Sequence, residues 1–160
     1  MASRWARPGA VALAALALAC GGQEAVAQRG REVGAGVVAT ASDPALGVAT
    51  VSGALRTSRR MRVSATVGAG VSDGRAAWRG ELLAHFLLSP GRLRGPGLYG
   101  AGGVAVVGGP VEQGYLVVTL GLEDRPAARA GWFVEAGVGG GARLAAGYRW
   151  RWLTGAAPGP

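Results

Sequence analysis

The chain has 160 residues and a formal charge of +8, carried by 17 arginines without a single lysine against 9 acids. Glycine, at 30 residues, is far above its usual share, while only 16% of residues are charged and 49% are hydrophobic. That balance excludes a charge-solubilised disordered chain and a conventional soluble helical domain, and glycines without a period of three exclude a collagen-like fibre.

The N-terminal segment has the pattern of an address. Arg4 and Arg7 precede the apolar run Ala10–Ala19, and Ala25-Val26-Ala27 is a small-x-small site before Gln28. A basic start, a short apolar run and an Ala-x-Ala site make a secretory signal peptide, cleaved between Ala27 and Gln28. The run is too short to cross a bilayer core as a mature helix, which needs about 20 residues. Leu18-Ala19-Cys20 resembles a lipoprotein site, with Ala17 where that motif usually has leucine, so lipidation at Cys20 is the alternative processing. With cleavage after Ala27 the mature chain lacks cysteine and has neither disulfide nor thiol chemistry. The division expected is 1–27 signal peptide, 28–31 a short lead, 32–153 one all-β domain, and 154–160 a tail.

Beyond Gln28 the recurring pattern is period two, in runs of about ten residues between Gly, Pro and Asp breaks. The runs Glu32–Ala41 and Leu46–Arg56 come first. They are strand-like but rich in Ala, Gly and Val, so their facing stays open. In Met61–Ser72, Val63, Ala65, Val67, Ala69 and Val71 share one face, while Arg62, Ser64, Thr66, Gly68 and Gly70 share the other. Asp73-Gly74 follows, the strongest short hairpin signal. Beyond it Trp78, Leu82, Ala84, Phe86 and Leu88 share a face opposite Arg79, Glu81 and His85. A two-residue turn at Asp73-Gly74 pairs Ser72 with Arg75, Gly68 with Arg79, Thr66 with Glu81 and Arg62 with His85. Each polar residue then meets a polar or small one, and a slip of one residue would destroy the match.

Leu98–Val107 is again Ala/Gly/Val-rich and open in its facing. In Tyr115–Glu123 the apolar face is Leu116, Val118, Leu120 and Leu122, with Thr119 and Glu123 opposite. Trp132, Val134, Ala136 and Val138 oppose Phe133, Glu135 and Gly137. Finally, Leu144, Ala146, Tyr148, Trp150 and Trp152 oppose Arg143, Gly147, Arg149 and Arg151. Eight strands with short connections read as an antiparallel up-and-down meander, enough to close into a barrel without a free edge.

Composition decides which face is outside. The polar faces hold mainly Gly, Ser, Thr and Ala with a few Arg and Glu, too few charges for a soluble exterior, which wants about 25–35%. Small residues suit the narrow interior of an eight-stranded barrel. The meander brings Trp132, Trp150, Trp152 and Phe86 to one rim, with Trp78 and Tyr115 near the other. Together with Tyr148 these read as membrane-interface aromatics, rings at the edges of an apolar band. The connections beside the termini carry Arg59, Arg60, Arg92, Arg94, Arg125 and Arg129 against Glu123 and Asp124. The opposite connections carry Asp43, Asp73, Arg75 and Glu112. One end of the molecule is therefore cationic, suited to anionic lipid or an acidic cell-wall polymer.

With these residues in place the chain resembles the small eight-stranded outer-membrane β-barrel proteins over roughly Glu32–Leu153. The sharpest part of the likeness is Gly147-Tyr148-Arg149-Trp150-Arg151-Trp152. There Gly147, Trp150 and Trp152 match the glycine–aromatic–aromatic core of the C-terminal signal read by the outer-membrane insertion machinery. Ala145 stands where that signal prefers a polar residue, and Leu153–Pro160 runs past the usual terminal aromatic. The connections are shorter than the family's surface loops, which leaves receptor and adhesin roles without a surface to act through. The resemblance implies an integral outer-membrane barrel, with lipid bilayer and insertion machinery as partners.

On the enclosed face Arg62, Arg79, Glu81, His85, Glu135, Arg143, Arg149 and Arg151 form the candidate lumen charge cluster. Buried charge must be paired or wet, and a turn centred on Gly140 sets Glu135 diagonal to Arg143, within reach of long side chains. The cluster reads either as a rigid plug, giving a structural role, or as a gate that exchanges ion pairs, giving a minor pore whose excess arginine favours anions. His85 is the sole histidine. A hydrolase set with Ser89 and Glu81 does not converge: Ser89-Pro90 lies in a turn and Glu81 is four residues away along the strand, roughly 13 Å. No enzyme activity is expected. Metal-ligand spacing is lacking, the glycine clusters precede no helix that could hold a phosphate, and no basic stripe is interleaved with aromatics. Neither a metal, a cofactor nor nucleic acid is expected. A soluble barrel enclosing an apolar ligand, lipocalin-like in sense, is the competing reading, with a small outer-membrane lipid hydrolase behind it.

Overall fold

The computed structural model describes residues 29–110 and 112–154. The expected signal peptide, its cleavage site at Ala27-Gln28, Cys20 and positions 155–160 lie outside the described residues. Within them the chain forms β1 (Arg29–Ala41), β2 (Leu46–Arg56), β3 (Met61–Ser72), β4 (Arg75–Leu87), β5 (Pro96–Gly108), β6 (Gln113–Asp124), β7 (Ala130–Val138) and β8 (Ala142–Thr154). Each strand pairs antiparallel with its neighbour in sequence, and β8 returns to β1 to close the barrel.

Local chemistry explains the register. Asp73 and Gly74 both have positive φ, 51° and 69°, the left-handed pair that a two-residue type I′ turn requires and that Asp-Gly adopts readily. Strand β3 then meets β4 as the alternation demands: Ser72 with Arg75, Gly68 with Arg79, Thr66 with Glu81, Arg62 with His85. The glycine turn after β7 does the same for the last hairpin, with Gly140 at φ 85° and Val138 paired to Ala142. Strand β1 begins at Arg29 rather than Glu32, because Arg29, Gly30 and Arg31 find ladder partners in Thr154, Leu153 and Trp152 of β8. The closing seam thereby absorbs both the short lead and the first residue of the expected tail.

The apolar faces point outward. Leu116 and Leu120 are 79% and 65% exposed, and Val33, Val51, Val67, Val104, Val134 and Leu144 lie on the same exterior. Closure also fixes the facing of the Ala/Gly/Val-rich strands. Val33 and Val37 of β1, Val51 and Leu55 of β2, and Leu98, Val104 and Val106 of β5 face out, whereas Glu32, Arg56 and Tyr99 face in. Inside, two apolar clusters share the space with charge: Val38, Leu46, Val48, Ala77, Phe133 and Ala145 in one, Leu83, Ala105 and Val117 in the other.

Two sequence-derived placements are corrected. Tyr115 has the inward parity of Val117, half-buried, not the outward parity of Leu116. Its ring lies over the glycine turn at Gly140, so among the described residues Trp78 is the one outward-facing ring at the rim away from the termini. Glu123 is buried in the lumen rather than displayed with the connection charges. The terminus-side connections are therefore more cationic than the sequence count indicated, with Asp124 as their acid.

Candidate functional site

The lumen holds six buried arginines (Arg56, Arg62, Arg79, Arg143, Arg149 and Arg151) and four buried glutamates (Glu32, Glu81, Glu123 and Glu135). All eight residues singled out from the sequence, His85 included, lie in it. Period two puts alternate residues of each strand inside, and the barrel is narrow enough for side chains to meet across it.

The network runs the length of the interior. Near the termini, Arg62 Nη1 donates to Glu32 Oε2 at 3.0 Å and to Glu123 Oε2 at 2.8 Å, while Arg56 Nε donates to Glu32 Oε1 at 2.7 Å. Arg151 and Arg149 also reach Glu123 Oε2, at 3.3 and 3.2 Å. In the middle, Arg149 Nη2 and the Tyr99 hydroxyl donate to Glu135 Oε1 at 2.9 and 2.7 Å. The Arg149 guanidinium lies 3.9 Å from the centre of the Phe133 ring, a cation–π contact. Toward the other end, Arg143 bridges Glu135 at 2.9 Å and both oxygens of Glu81 at 3.0 and 2.8 Å. Arg79 Nε donates to Glu81, and its Nη2 donates to the Gly139 carbonyl at the mouth. Charge-assisted pairs of this geometry are about twice as strong as neutral ones, which offsets the cost of enclosing charge.

The terminus-side mouth is filled. There the connection 125–129 folds inward: Pro126 is buried, and its carbonyl accepts from Arg56 Nη2 at 2.8 Å. A cavity of ≈ 30 Å³ lies beside the central pairs, and one of ≈ 40 Å³ lies at the opposite mouth near Thr40, Arg79 and Tyr115. Each has room for about two or three waters. The interior is a side-chain plug.

The histidine belongs to this packing. His85 Nε2 sits 2.8 Å from Ser64 Oγ, and Nδ1 is 3.4 Å from Arg62 Nη2. Arginine can only donate, so Nδ1 is the acceptor, Nε2 carries the proton, and Ser64 receives rather than gives a hydrogen bond. Glu81 is engaged by Arg79 and Arg143.

Sequence reasoning missed three members, Glu32, Arg56 and Tyr99, all on strands whose Ala/Gly/Val composition hid the facing. It put Glu123 with Thr119 on the face opposite the leucines but also counted it among the connection charges and left it out of the cluster; parity along β6 decides for the lumen. Among the aromatics, Trp78, Phe86, Trp132, Tyr148, Trp150 and Trp152 all point outward. Tyr148 and Trp150 meet edge to face at 5.2 Å. Gly147 faces inward, where the Phe133 ring of the paired strand lies across it.

No family model matches the chain, and no curated protein matches it. Among solved structures, it is similar to the N-terminal β-barrel domain of OprF from Pseudomonas aeruginosa, whose crystal structure superimposes with a TM-score of 0.65. The two share one fold. The match spans 79% of this chain and 99% of that one at 13% identity, so what the two are shown to hold in common is architecture.

Proposed function

We propose that the protein is an integral outer-membrane β-barrel whose lumen is packed shut by arginine–glutamate pairs, and that its role is structural. The observation that carries this reading is the inversion of the barrel: valines and leucines cover the exterior, while ten charged side chains are enclosed. Monomeric soluble proteins rarely expose a contiguous apolar patch larger than a few hundred Å², and here the apolar surface includes residues of every strand. Strands of 9–13 residues match the length needed to span a bilayer at a tilt. The OprF barrel domain adds a precedent for the fold. A lipocalin-like carrier would need the opposite sense and a roomy apolar centre, which the charged plug occupies.

Trp150 and Trp152 lie on the outer face next to the closing seam with β1, where a C-terminal insertion signal would be read by the assembly machinery. The reading gives His85 and Ser64 a packing role and assigns no catalysis. A minor pore is the second reading, favoured by one feature: Arg143 and Arg149 each share two glutamates, so pairs could exchange without leaving a charge unpartnered. Planar-bilayer recording separates the two. The structural reading expects no unitary conductance between low and molar salt, and reproducible anion-selective steps would replace it with the pore. Retention in the membrane fraction after alkaline washing tests the location itself, and release into aqueous buffer would refute it.

A further inference from the structure

The plug uses six arginines, yet another set stands outside it on a single rim. The connection 88–95 carries Arg92 and Arg94, and the connection 125–129 carries Arg125 and Arg129, all exposed. Two backbone hydrogen bonds tie these connections together, from Arg125 N to the Gly95 carbonyl and from Ala127 N to the Arg92 carbonyl, both at 3.1 Å. The four cations are thus held side by side, with Asp124, paired to Arg125 at 2.8 Å, as the neighbouring acid. Arg94 and Arg129 have no side-chain partner among the described residues.

Two further features set the level of this patch. Arg129 directly precedes Ala130, which pairs with Trp150, and Trp132 pairs with Tyr148. On the closing seam Arg31 points outward next to its ladder partner Trp152. Arginine therefore sits level with the outermost tryptophans of the same rim, Arg31 beside Trp152 and Arg129 bonded through its carbonyl to Arg151, between Trp150 and Trp152. Between Arg92 and Arg94, Leu93 is 67% exposed, an apolar side chain flanked by two guanidinium groups. Interfacial rings sit at the boundary of the acyl region, arginines snorkel to the phosphates just above it, and a flanked leucine dips between headgroups.

We propose that this rim is a binding surface for anionic phospholipid headgroups, with Arg92, Arg94 and Arg129 at phosphate level and Leu93 inserted between the lipids. The inference rests on the outer-membrane reading and adds a lipid preference at the terminus-side leaflet. Guanidinium suits the task because its planar fork bonds two phosphate oxygens at once.

The test reconstitutes the purified protein in phosphatidylcholine vesicles containing spin-labelled phosphatidylglycerol or spin-labelled phosphatidylcholine. It measures the motionally restricted fraction of each by electron paramagnetic resonance. Each arginine at phosphate level is worth about fivefold in headgroup preference, so averaging over all lipids lining the barrel should leave a preference for phosphatidylglycerol of about twofold or more. The preference should weaken in R94Q/R129Q, weaken further in R92Q/R94Q/R125Q/R129Q, fall to parity in 1 M salt, and survive unchanged in R75Q at the opposite end. Restricted but equal fractions for the two lipids in the unmodified protein overturn the proposal while leaving the membrane barrel intact. A preference that persists undiminished in both R94Q/R129Q and R92Q/R94Q/R125Q/R129Q also overturns it. The absence of any restricted fraction, for either lipid, would instead defeat the outer-membrane reading itself. Far-ultraviolet circular dichroism of each variant verifies that the barrel has formed.

Discussion

Charge in the lumen is not balanced, and the imbalance makes a directional prediction. Six buried arginines face four buried glutamates; Arg56 Nη1, Arg62 Nε and Arg151 Nε lack a protein acceptor, and Glu123 Oε1 has Arg56 Nη2 only at 4.0 Å. Glu123 is the acid under heaviest demand, accepting from Arg62, Arg149 and Arg151 at 2.8, 3.2 and 3.3 Å. Glu123→Gln preserves its shape but removes the charge, leaving Arg151 with Glu32 at 3.9 Å as its nearest carboxylate and Arg62 and Arg149 with one carboxylate fewer each, and raising the enclosed excess from two to three. Breaking a buried pair from the side that leaves charge uncompensated costs about 3–5 kcal/mol. Arg151→Gln lowers the excess instead and leaves Glu123 with Arg62 and Arg149, so about 1–2 kcal/mol is expected, the worth of one hydrogen bond to a charged group. The double variant should cost less than the sum of the two, with a favourable coupling of about 1–3 kcal/mol, because the second change removes one of the cations that the first deprived of a carboxylate. Urea unfolding in detergent micelles, followed by tryptophan emission, measures all three. Equal penalties for the two single variants, or strict additivity, would refute the account of an over-cationic lumen.

Other expectations test separate parts of the structure. Leu120→Arg places a cation on the exterior of β6 and should destabilise the protein in bilayers by about 2–4 kcal/mol if the site is near the midplane; a soluble barrel would tolerate the change, so equal stability with and without lipid would contradict the membrane reading. Tyr99→Phe removes the hydroxyl that donates to Glu135 at 2.7 Å and accepts from Arg149 at 3.3 Å. It should cost about 1–3 kcal/mol in the same urea assay, because a charge-assisted bond is lost without a cavity. Conductance should stay absent in this variant, since the guanidinium groups of Arg143 and Arg149 still fill the centre.

Much of the architecture was legible because polarity alternates where it matters. In β3, β4, β6, β7 and β8 a lumen residue such as Arg62, Glu81, Thr119, Glu135 or Arg149 sits between apolar neighbours, so period two identifies both faces. Asp73-Gly74 fixed one register outright, since only a two-residue turn of that hand satisfies both positive φ values and the polar matches. Where side chains are uniformly small, as in Gly34–Val38 or Gly100–Gly103, the code fell silent, and the inward placement of Glu32 and Tyr99 was hidden with it.

What the chain determines by itself is local: the strands, their turns, and which alternate residues differ in polarity enough to need opposite surroundings. Closure decides the rest. Glu123 meets Arg62 across 61 positions and Arg143 meets Glu81 across 62, contacts that depend on how far the strands are staggered around the circumference. Stagger is a property of the whole ladder from β1 to β8, summed over every pairing, and no single stretch of sequence encodes it. The same closure set Tyr115 over Gly140 and brought Glu123 within reach of Arg62, Arg149 and Arg151: parity along β6 gives each its side of the wall, and the joined ladder decides what it meets there.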